Sequence, residues 1–338
     1  MDILLLTDYR KQFYSAQRSS TVGMNLSRLK EILFEFGANI TVKNFCNLDI
    51  NNSLKNKIVL FQSSEDRNLF YKSYIEDILL GVEMSGGFLV PSFNLFRAHH
   101  NKLFFEILRD LSNLKPLCDI KSKYYGTLED LLSENINKWR FPKVIKSSSG
   151  CKSQGVYLAR NSRELKKIAR KLTRSFNAFD FIRFYLKKHL RKNYISESNH
   201  RRKIIIQDFI PGLQGDFKIL IYGRKYFVLH REIRPNDFRA SGSGRFSYPY
   251  EPPVVLLDAA RRVFEYFDCP YISLDMALDG DNPVVLEAQF LMFGTYALEN
   301  APFYLEHVDG SWTKINGNVE LEFVFCECLV EFLKGKMG

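Results

Sequence analysis

Residues 271–290, YISLDMALDGDNPVVLEAQF, predict a β-hairpin, and this hairpin decides the fold. Two runs of alternating side chains flank a turn-forming DGDN, which places Asp275 opposite Glu287 and Ser273 opposite Gln289. Opposed carboxylates repel each other, so such a pair usually holds a cation or shares a proton. The amide oxygen of Gln289 on the same face favours a divalent ion with oxygen ligands, such as Mg²⁺. The alternative is an exposed sheet face that carries two unrelated acids.

The composition is typical of an ordinary soluble globular protein. The 338 residues are 46% hydrophobic and 25% charged, which is enough for two or three packed subdomains. No apolar run reaches the roughly 18 residues that a membrane-spanning helix needs. The start, MDILLLTD, predicts a first strand and not a signal peptide. The six cysteines are scattered without zinc-site spacing, and we therefore expect a cytoplasmic protein.

The positive charge of the chain is concentrated in one segment. Residues 166–203 contain thirteen Lys or Arg and two acids, a net +11, so the remainder of the +10 chain carries −1. Within this segment, residues 178–192 predict a helix that is apolar at first and then basic. It can be a solvated lid helix, a site for an anionic acceptor, or a peripheral contact with an anionic membrane. Nucleic acid is not expected, because no recognition motif accompanies the charge.

The order of predicted elements indicates an α/β domain followed by an α+β body. Strands and helices alternate over the first 95 residues, which predicts a small parallel sheet, and hairpins dominate after residue 141. The first part has strands at 3–7, 39–45, 57–62 and 88–91 and helices at 25–36, 71–84 and 94–111. The later part has strands at 143–145, 156–159, 203–207, 216–222 and 225–233 and helices at 162–173, 178–192, 254–267 and 319–334.

Three further segments can carry chemistry. A Ser- and Gly-rich loop between Lys146 and Gly155, which includes Lys152, can cradle an anion, although it is not a Walker A motif and can equally be a flexible surface loop. The sequence QDFIPG at 207–212 ends a strand and can present polar edges to a heterocycle, or it simply ends the strand. Four arginines beside SGSG at 231–245 suit phosphate or carboxylate oxygens, or form a solvated loop.

Together these motifs resemble the ATP-grasp superfamily, in particular its carboxylate–amine ligases such as the ribosomal-protein glutamate ligases. FPKVIK at 141–146, with Gly150 and Gly155, is similar to the phosphate-loop strands of the family, and QDFI at 207–210 is similar to its adenine hinge. DFK at 216–218 resembles the family's Asp-x-Arg, and FRAS at 238–241 resembles its Phe-Arg-Ser-Asn. Asp275 with EAQ at 287–289 resembles its Asp…Glu-x-Asn. Two positions depart from the family pattern. Lys218 replaces an Arg, which removes the bidentate fork, and Gln289 replaces an Asn.

The resemblance implies a division into three parts. Residues 1–95 would form an α/β domain that precedes the ATP-grasp body. Residues 96–212 would form the ATP-grasp N-terminal subdomain with its lid and basic helical segment, and residues 213–338 the C-terminal subdomain with the metal site. The nucleotide would lie between the two β-rich subdomains.

The resemblance also implies an activity, namely the joining of a carboxylate to an amine through an acyl phosphate, with release of ADP and phosphate. ATP and one or two Mg²⁺ ions, or Mn²⁺ instead, would be required, and the substrates would be small molecules or peptides. Catalysis would fall to Lys218, Arg231 and Arg239, and metal binding to Asp275, Glu287 and Gln289. Nucleotide binding would fall to Lys102, Lys146, Ser149, Gly150, Gly155, Gln207, Asp208, Phe209, Ile210 and Asp216.

Two rival activities remain on the same scaffold. One is a phosphotransferase similar to the inositol-phosphate kinases, which would leave the phosphate on its product. The other is a non-catalytic ATP-binding protein, which the replacements at Lys218 and Gln289 favour. The histidines offer no catalytic cluster, and His99 is expected at the surface.

Overall fold

A computed structural model describes the chain except for residues 15–22, 52–53, 65, 151–154, 176–177, 235–236, 241–243 and 338. It contains two compact units. The first unit combines Met1–His100 with Leu213–Gly338, and the second unit is Asn101–Gly212. The three-part division drawn from the sequence stays a prediction. Within the described ranges, no helix is both long and apolar enough to cross a membrane.

The amino-terminal part of the first unit is a parallel α/β structure, as the alternation of strands and helices predicted. Its elements are β1 (Asp2–Thr7), α1 (Leu26–Glu35), β2 (Asn39–Asn44), β3 (Ile58–Phe61), α2 (Phe70–Met84), β4 (Phe88–Val90) and α3 (Phe93–His100). The sheet order is β2-β1-β3-β4, and every pair is parallel. The central strands β1 and β3 are almost wholly buried, which explains why they appear in the sequence as continuous apolar runs.

The helix predicted over residues 94–111 is wrong as a single element. Its first part is α3, which ends at His100, and its second part, α4 (Lys102–Ser112), belongs to the second unit. Asn101 separates them with an extended backbone, and its side chain accepts a hydrogen bond from the Phe104 N–H. Asparagine favours this N-cap geometry, so the chain starts a new helix there although the apolar spacing continues.

The second unit contains an antiparallel sheet with the order β5-β8-β6-β7. One face of this sheet forms an apolar core, in which Ile145 and Ile206 pack with Leu131 and Leu165. The strand β5 and the short helices α5 and α6 were not predicted from the sequence. After α4, the elements are α5 (Lys115–Cys118), β5 (Ser122–Tyr125), α6 (Leu128–Leu132), β6 (Lys143–Ser147), β7 (Val156–Ala159), α7 (Ser162–Thr173), α8 (Ala178–Leu190) and β8 (Ile204–Asp208).

The carboxy-terminal part of the first unit is built on a seven-stranded sheet with the order β13-β12-β9-β10-β14-β15, in which β11 also pairs with β10. Its elements are β9 (Gly215–Tyr222), β10 (Lys225–Glu232), β11 (Phe246–Ser247), α9 (Val254–Phe267), β12 (Tyr271–Asp279), β13 (Asn282–Gln289), α10 (Tyr296–Glu299), β14 (Phe303–Val308), β15 (Ser311–Asn316) and α11 (Leu321–Met337). This part shares one core with the amino-terminal part. The buried hydroxyls of Tyr14 and Tyr222 lie 2.9 Å apart, and the Asn25 N–H, before α1, donates to Glu322 in α11.

Candidate active site

The acidic hairpin of β12 and β13 has the predicted register at its functional end. Asp275 pairs with Glu287, and Ser273 pairs with Gln289. Between this end and the turn, the register shifts by one residue, because Leu286 is an extra residue in β13. The shift is a β-bulge, and bulges commonly adjust the direction of side chains beside functional sites.

Asp275 is neutralised by cations on two other strands of the same sheet. Arg231 of β10 places Nη2 at 2.9 Å from Asp275 Oδ2, and Lys218 of β9 places Nζ at 3.4 Å from Asp275 Oδ1. Lys218 also donates to the hydroxyl of Ser273 at 2.9 Å. From the sequence we expected that the two opposed acids hold a cation between them or share a proton, unless they are unrelated acids on an exposed face. The structure shows that β9 and β10 already supply positive charge to one of them.

Arg231 joins a second carboxylate to the same network. Its Nε donates to Asp216 Oδ1 at 2.5 Å, and the two residues are direct partners across β9 and β10. Burial would raise the pKa of Asp275, but Arg231 and Lys218 outweigh it and lower the pKa to about 2. Burial raises the pKa of Asp216 to about 6, although Arg231 opposes that shift. The two acids therefore differ in protonation over mildly acidic pH.

The oxygen set of this hairpin fits magnesium. Asp275 stays ionised, and the carboxylate of Glu287 and the amide of Gln289 complete a row of oxygens along the hairpin. Magnesium prefers such hard oxygen ligands and usually keeps several waters or substrate phosphates as further ligands. Among the described residues, no three His, Cys, Asp or Glu side chains come together. A metal at this place would thus need the Gln289 oxygen or oxygens that a ligand brings.

Arg239 lies in the loop that follows β10, where the structure pairs it with Asp237. Its Nε and Nη2 are 3.0 and 2.8 Å from the two carboxylate oxygens, and this bidentate pair lowers the pKa of Asp237. To stabilise developing charge on a substrate, as predicted, Arg239 would therefore have to leave Asp237. Ser241, which belongs to the same motif, lies outside the described residues.

The predicted phosphate loop of the second unit follows β6, which carries Lys146. The first N–H of α4, on Lys102, donates to the Ser148 carbonyl at 2.9 Å, so the structure brings Lys102 to this loop. The Ser147 hydroxyl donates to the Ser149 carbonyl at 2.7 Å. Residues 151–154, and with them the predicted charge of Lys152, lie outside the described residues.

The glycines of this loop have backbone conformations that other residues avoid. The φ angle is +128° at Gly150 and +78° at Gly155. A Cβ at Gly155 would also lie 2.3 Å from the hydroxyl oxygen of Ser147. The loop therefore depends on glycine at residue 155 for both its dihedral angles and its close approach to β6.

Gln207 is buried against α4. Its Nε2 donates to Glu106 Oε1 at 2.8 Å and to the Ser122 hydroxyl at 3.0 Å. Glu106 in turn pairs with Arg109 at 3.2 Å. Glu106 was not predicted, and the sequence marks it only by its spacing of three residues from Arg109, on a helix that also carries Lys102 and Asp110.

The predicted adenine-binding residues divide between the two faces of the sheet. Because strand side chains alternate, Lys146 and Gln207 lie on one face, while Lys143 and Asp208 lie on the other, where they form an ion pair. Asp208 and Phe209 also line a cavity on their side of the sheet. Ile210 directly follows this segment and is half-buried.

His99 is buried, so the expectation that it lies at the surface is wrong. Its Nδ1 accepts hydrogen bonds from the Phe290 N–H at 3.1 Å and the Leu291 N–H at 3.4 Å. These two residues directly follow Gln289, so α3 anchors the end of β13. A histidine that accepts on Nδ1 is neutral and carries its proton on Nε2.

Comparison with known proteins identifies this fold. No family model matches the chain, and no curated protein matches it. The crystal structure of D-cycloserine synthetase DcsG matches with a TM-score of 0.57 at 13% identity, over 98% of this chain and 100% of that one. Macrocyclase MdnC, bound with precursor peptide MdnA from Microcystis aeruginosa MRC, matches with a TM-score of 0.51 at 13% identity, over 98% and 100%. The ATP-grasp ligase PsnB, complexed with minimal precursor, Mg and ADP, matches with a TM-score of 0.50 at 13% identity, over 98% of each chain.

Proposed function

This chain has the ATP-grasp fold, and from that premise we propose that it is an ATP-dependent ligase that joins a carboxylate to an amine. The observation that carries the proposal is the hairpin of Asp275 and Glu287 with Lys218 and Arg231 beside it. A row of metal-binding oxygens next to two cations suits the binding of a metal–polyphosphate complex, in which the cations contact phosphate oxygens.

The substrates are proposed from chemistry that several relatives share. DcsG is named D-cycloserine synthetase, MdnC is bound with a precursor peptide, and PsnB is complexed with a minimal precursor. We take the class of substrates for this chain to be a small-molecule or peptide carboxylate and an amine. The carboxylate would attack the γ-phosphoryl group to give an acyl phosphate, and the amine would displace phosphate to give an amide, with ADP as the other product.

The first unit would supply the charge for this chemistry. Asp275, Glu287 and Gln289 would hold one or two Mg²⁺ ions, which offset the negative charge of the phosphates. As Asp275 turns to the metal, Lys218 and Arg231 would exchange it for phosphate oxygens. Arg239 would leave Asp237 and stabilise the charge that develops on the transferred group, and Asp216 would bind the ribose.

The second unit would bind the remainder of the nucleotide. Lys102, Lys146 and the backbone at Ser149–Gly150 would contact the phosphates, and Gly155 would keep the loop close to β6. Gln207 is held by Glu106, so its carbonyl oxygen is the atom that it can offer to adenine. The backbone of residues 208–210 would complete adenine binding.

One assay separates the ligase from its two rivals. The protein is incubated with ATP, Mg²⁺ and a pool of acids and amines, and ADP, free phosphate and product mass are followed. A ligase releases both ADP and phosphate and forms an amide. A phosphotransferase releases ADP alone and adds a phosphate to its product, whereas a non-catalytic protein binds ATP without turnover that depends on the acceptor. Either of the last two results would overturn the proposed ligase activity.

The basic helix α8 supports a further proposal about location. Its exposed apolar side chains recur every three or four residues, so they form one stripe: Phe179, Ile182, Leu186 and Leu190. Basic residues at intervals of four flank this stripe: Arg183, Lys187 and Arg191. A stripe of exposed apolar side chains flanked by basic ones fits an anionic lipid surface better than an acidic peptide, because such a surface accommodates both kinds of side chain. We propose a cytoplasmic protein that contacts anionic membranes through α8.

A further inference from the structure

A cavity of about 860 Å³ opens in the second unit beside the end of β8. Its apolar lining is aromatic and proline-rich, and Trp139, Phe141 and Phe209 belong to it. Small-molecule sites usually have volumes of about 300 to 1,000 Å³ and mostly apolar walls. The cavity thus has the size and lining of a ligand site.

The same cavity has a basic rim. Lys121, Lys123, Arg140 and Lys143 line it, and Asp208 is the single acid among its described lining residues. Two of these cations are already engaged, because Lys143 pairs with Asp208 and Lys123 lies 2.8 Å from Glu134. Lys121 and Arg140 form no ion pair with any other described residue and are exposed at the rim. An excess of positive charge therefore remains beside the aromatic walls.

This cavity is separate from the proposed phosphate-binding residues. Lys143 and Asp208 point to the side of the sheet that the cavity occupies, while Lys146 and Gln207 point to the other side. The Gln207 amide is buried against Glu106 there. None of the residues assigned to the phosphates lines the cavity, whereas Asp208 and Phe209, whose backbone is proposed to contact adenine, lie at its border.

We infer that this cavity is a second ligand site, which binds a planar carboxylate such as an aromatic acid. The ring would pack on Trp139, Phe141 and Phe209, and the carboxylate would take a bidentate hydrogen bond from Arg140. A neutral ring would leave the basic rim without a counter-charge, and a small inorganic anion would leave the aromatic walls in water. A free aromatic acid and a peptide that ends in an aromatic residue share this chemistry.

The two tryptophans of the chain provide a direct test. Trp139 lines the cavity, while Trp312 lies in the first unit, where its Nε1 donates to Asp258 at 2.9 Å. The full chain is labelled with 5-fluorotryptophan, and its two ¹⁹F signals are followed during titration with trans-cinnamate. The variant Trp312→Phe assigns the signals. We expect the Trp139 signal to shift saturably and the Trp312 signal to stay in place.

Matched probes and variants test the chemistry of the site. Cinnamamide has the same shape without the charge, and Arg140→Gln removes the guanidinium, so each should weaken binding by about tenfold or more. Arg160→Gln, an exposed arginine of the same unit outside the cavity lining, should leave the dissociation constant unchanged. N-acetylphenylalanine and its amide repeat the comparison for a peptide end.

Other outcomes overturn the inference. They are a Trp139 signal that cinnamate does not shift, an equal response to the amide, and an equal response in Arg140→Gln. Lys146→Ala should keep cinnamate binding, because Lys146 lies on the opposite face of the sheet. Loss of binding in that variant would assign the cavity to the nucleotide site instead. The proposed ligase activity can fail without affecting any of these results.

Discussion

Arg231 and Asp275 form a direct ion pair, with Nη2 2.9 Å from Oδ2, although they lie on strands that do not neighbour each other. Strand β9 runs between β10 and β12, and the arginine reaches across it above Asp216 and Lys218. The pair is mostly shielded from water, because the side chains are 12% and 18% exposed. The charges of three strands thus form one network that is balanced before any ligand arrives.

Removal of Asp275 should destabilise the protein in the absence of nucleotide. Asp275→Asn leaves Lys218 and Arg231 with one carboxylate fewer, and breaking such a shielded pair costs about 2 to 4 kcal/mol. Urea unfolding measures the loss. Asp281→Asn in the exposed turn of the same hairpin is the control and should change stability by less than about 0.5 kcal/mol. Equal stability of the two variants would show that the network does not hold the fold.

Glu287→Ala tests the proposed metal site separately from the fold. Asp275 keeps its two cations in this variant, so the protein should stay folded. The loss of one metal ligand should lower ATP turnover by about 10²-fold or more, because magnesium would no longer be held against the phosphates. The measurement is the ADP release rate at matched Mg²⁺, with Asp281→Ala as the control. An unchanged rate would end the metal assignment.

The opposition of Asp275 and Glu287 could be predicted only in part from local causes. Alternation fixes the face of each side chain, but the observed turn alone would place Asp275 opposite Leu286. In the structure, Asp279 pairs with Asn282 around a two-residue turn. The bulge at Leu286 then shifts the register by one residue, so that Asp275 lies opposite Glu287 as predicted. The hydrophobic pattern of the sequence does not reveal this bulge.

The partners of Asp275 could not be predicted in the same way. Lys218 and Arg231 meet it only because the sheet order is β12-β9-β10, and strand order is a tertiary property that no local period encodes.

The hairpin of β14 and β15 was not predicted, although its sequence contains a clear signal. The hairpin of β14 and β15 turns at Asp309-Gly310, both with positive φ, and Asp-Gly between alternating runs is a strong hairpin signal.

The buried carboxyl of Asp216 should make stability depend on pH. Its pKa is raised from 3.8 to about 6, so the folded state binds this proton more tightly than the unfolded state. The contribution is fully present below the unfolded pKa and is lost as pH rises through about 6, a change of about 2 to 3 kcal/mol. In Asp216→Asn, this fall should disappear. Urea unfolding from about pH 4 to pH 7 compares the two proteins, and identical slopes would contradict the assignment.

The close approach at Gly155 should make it more sensitive than Gly212. Both have nearly the same φ, +78° and +77°, but a Cβ at Gly212 meets nothing within 4 Å. Gly155→Ala must also displace the Ser147 hydroxyl and break its bond to Ser149, so it should cost about 1 kcal/mol more than Gly212→Ala in urea unfolding. Adding Ser147→Ala to Gly155→Ala should cost less than the two changes separately. Equal costs for both glycine variants would exclude the steric effect.

The proposed membrane contact of α8 predicts binding to vesicles that contain phosphatidylserine. Leu186→Glu should abolish co-sedimentation, because it places a charge in the apolar stripe, whereas Leu111→Glu, at a leucine of α4 that is 67% exposed, should not. Changing Arg183 and Lys187 to Gln should weaken binding by about thirtyfold and reduce its dependence on salt, since each cation contributes about 1 kcal/mol at an anionic surface. Equal binding to neutral vesicles, or equal loss in both glutamate variants, would contradict the proposal. If the protein binds none of the vesicles but binds a poly-glutamate peptide in a salt-sensitive manner, α8 would be assigned to an acidic peptide instead.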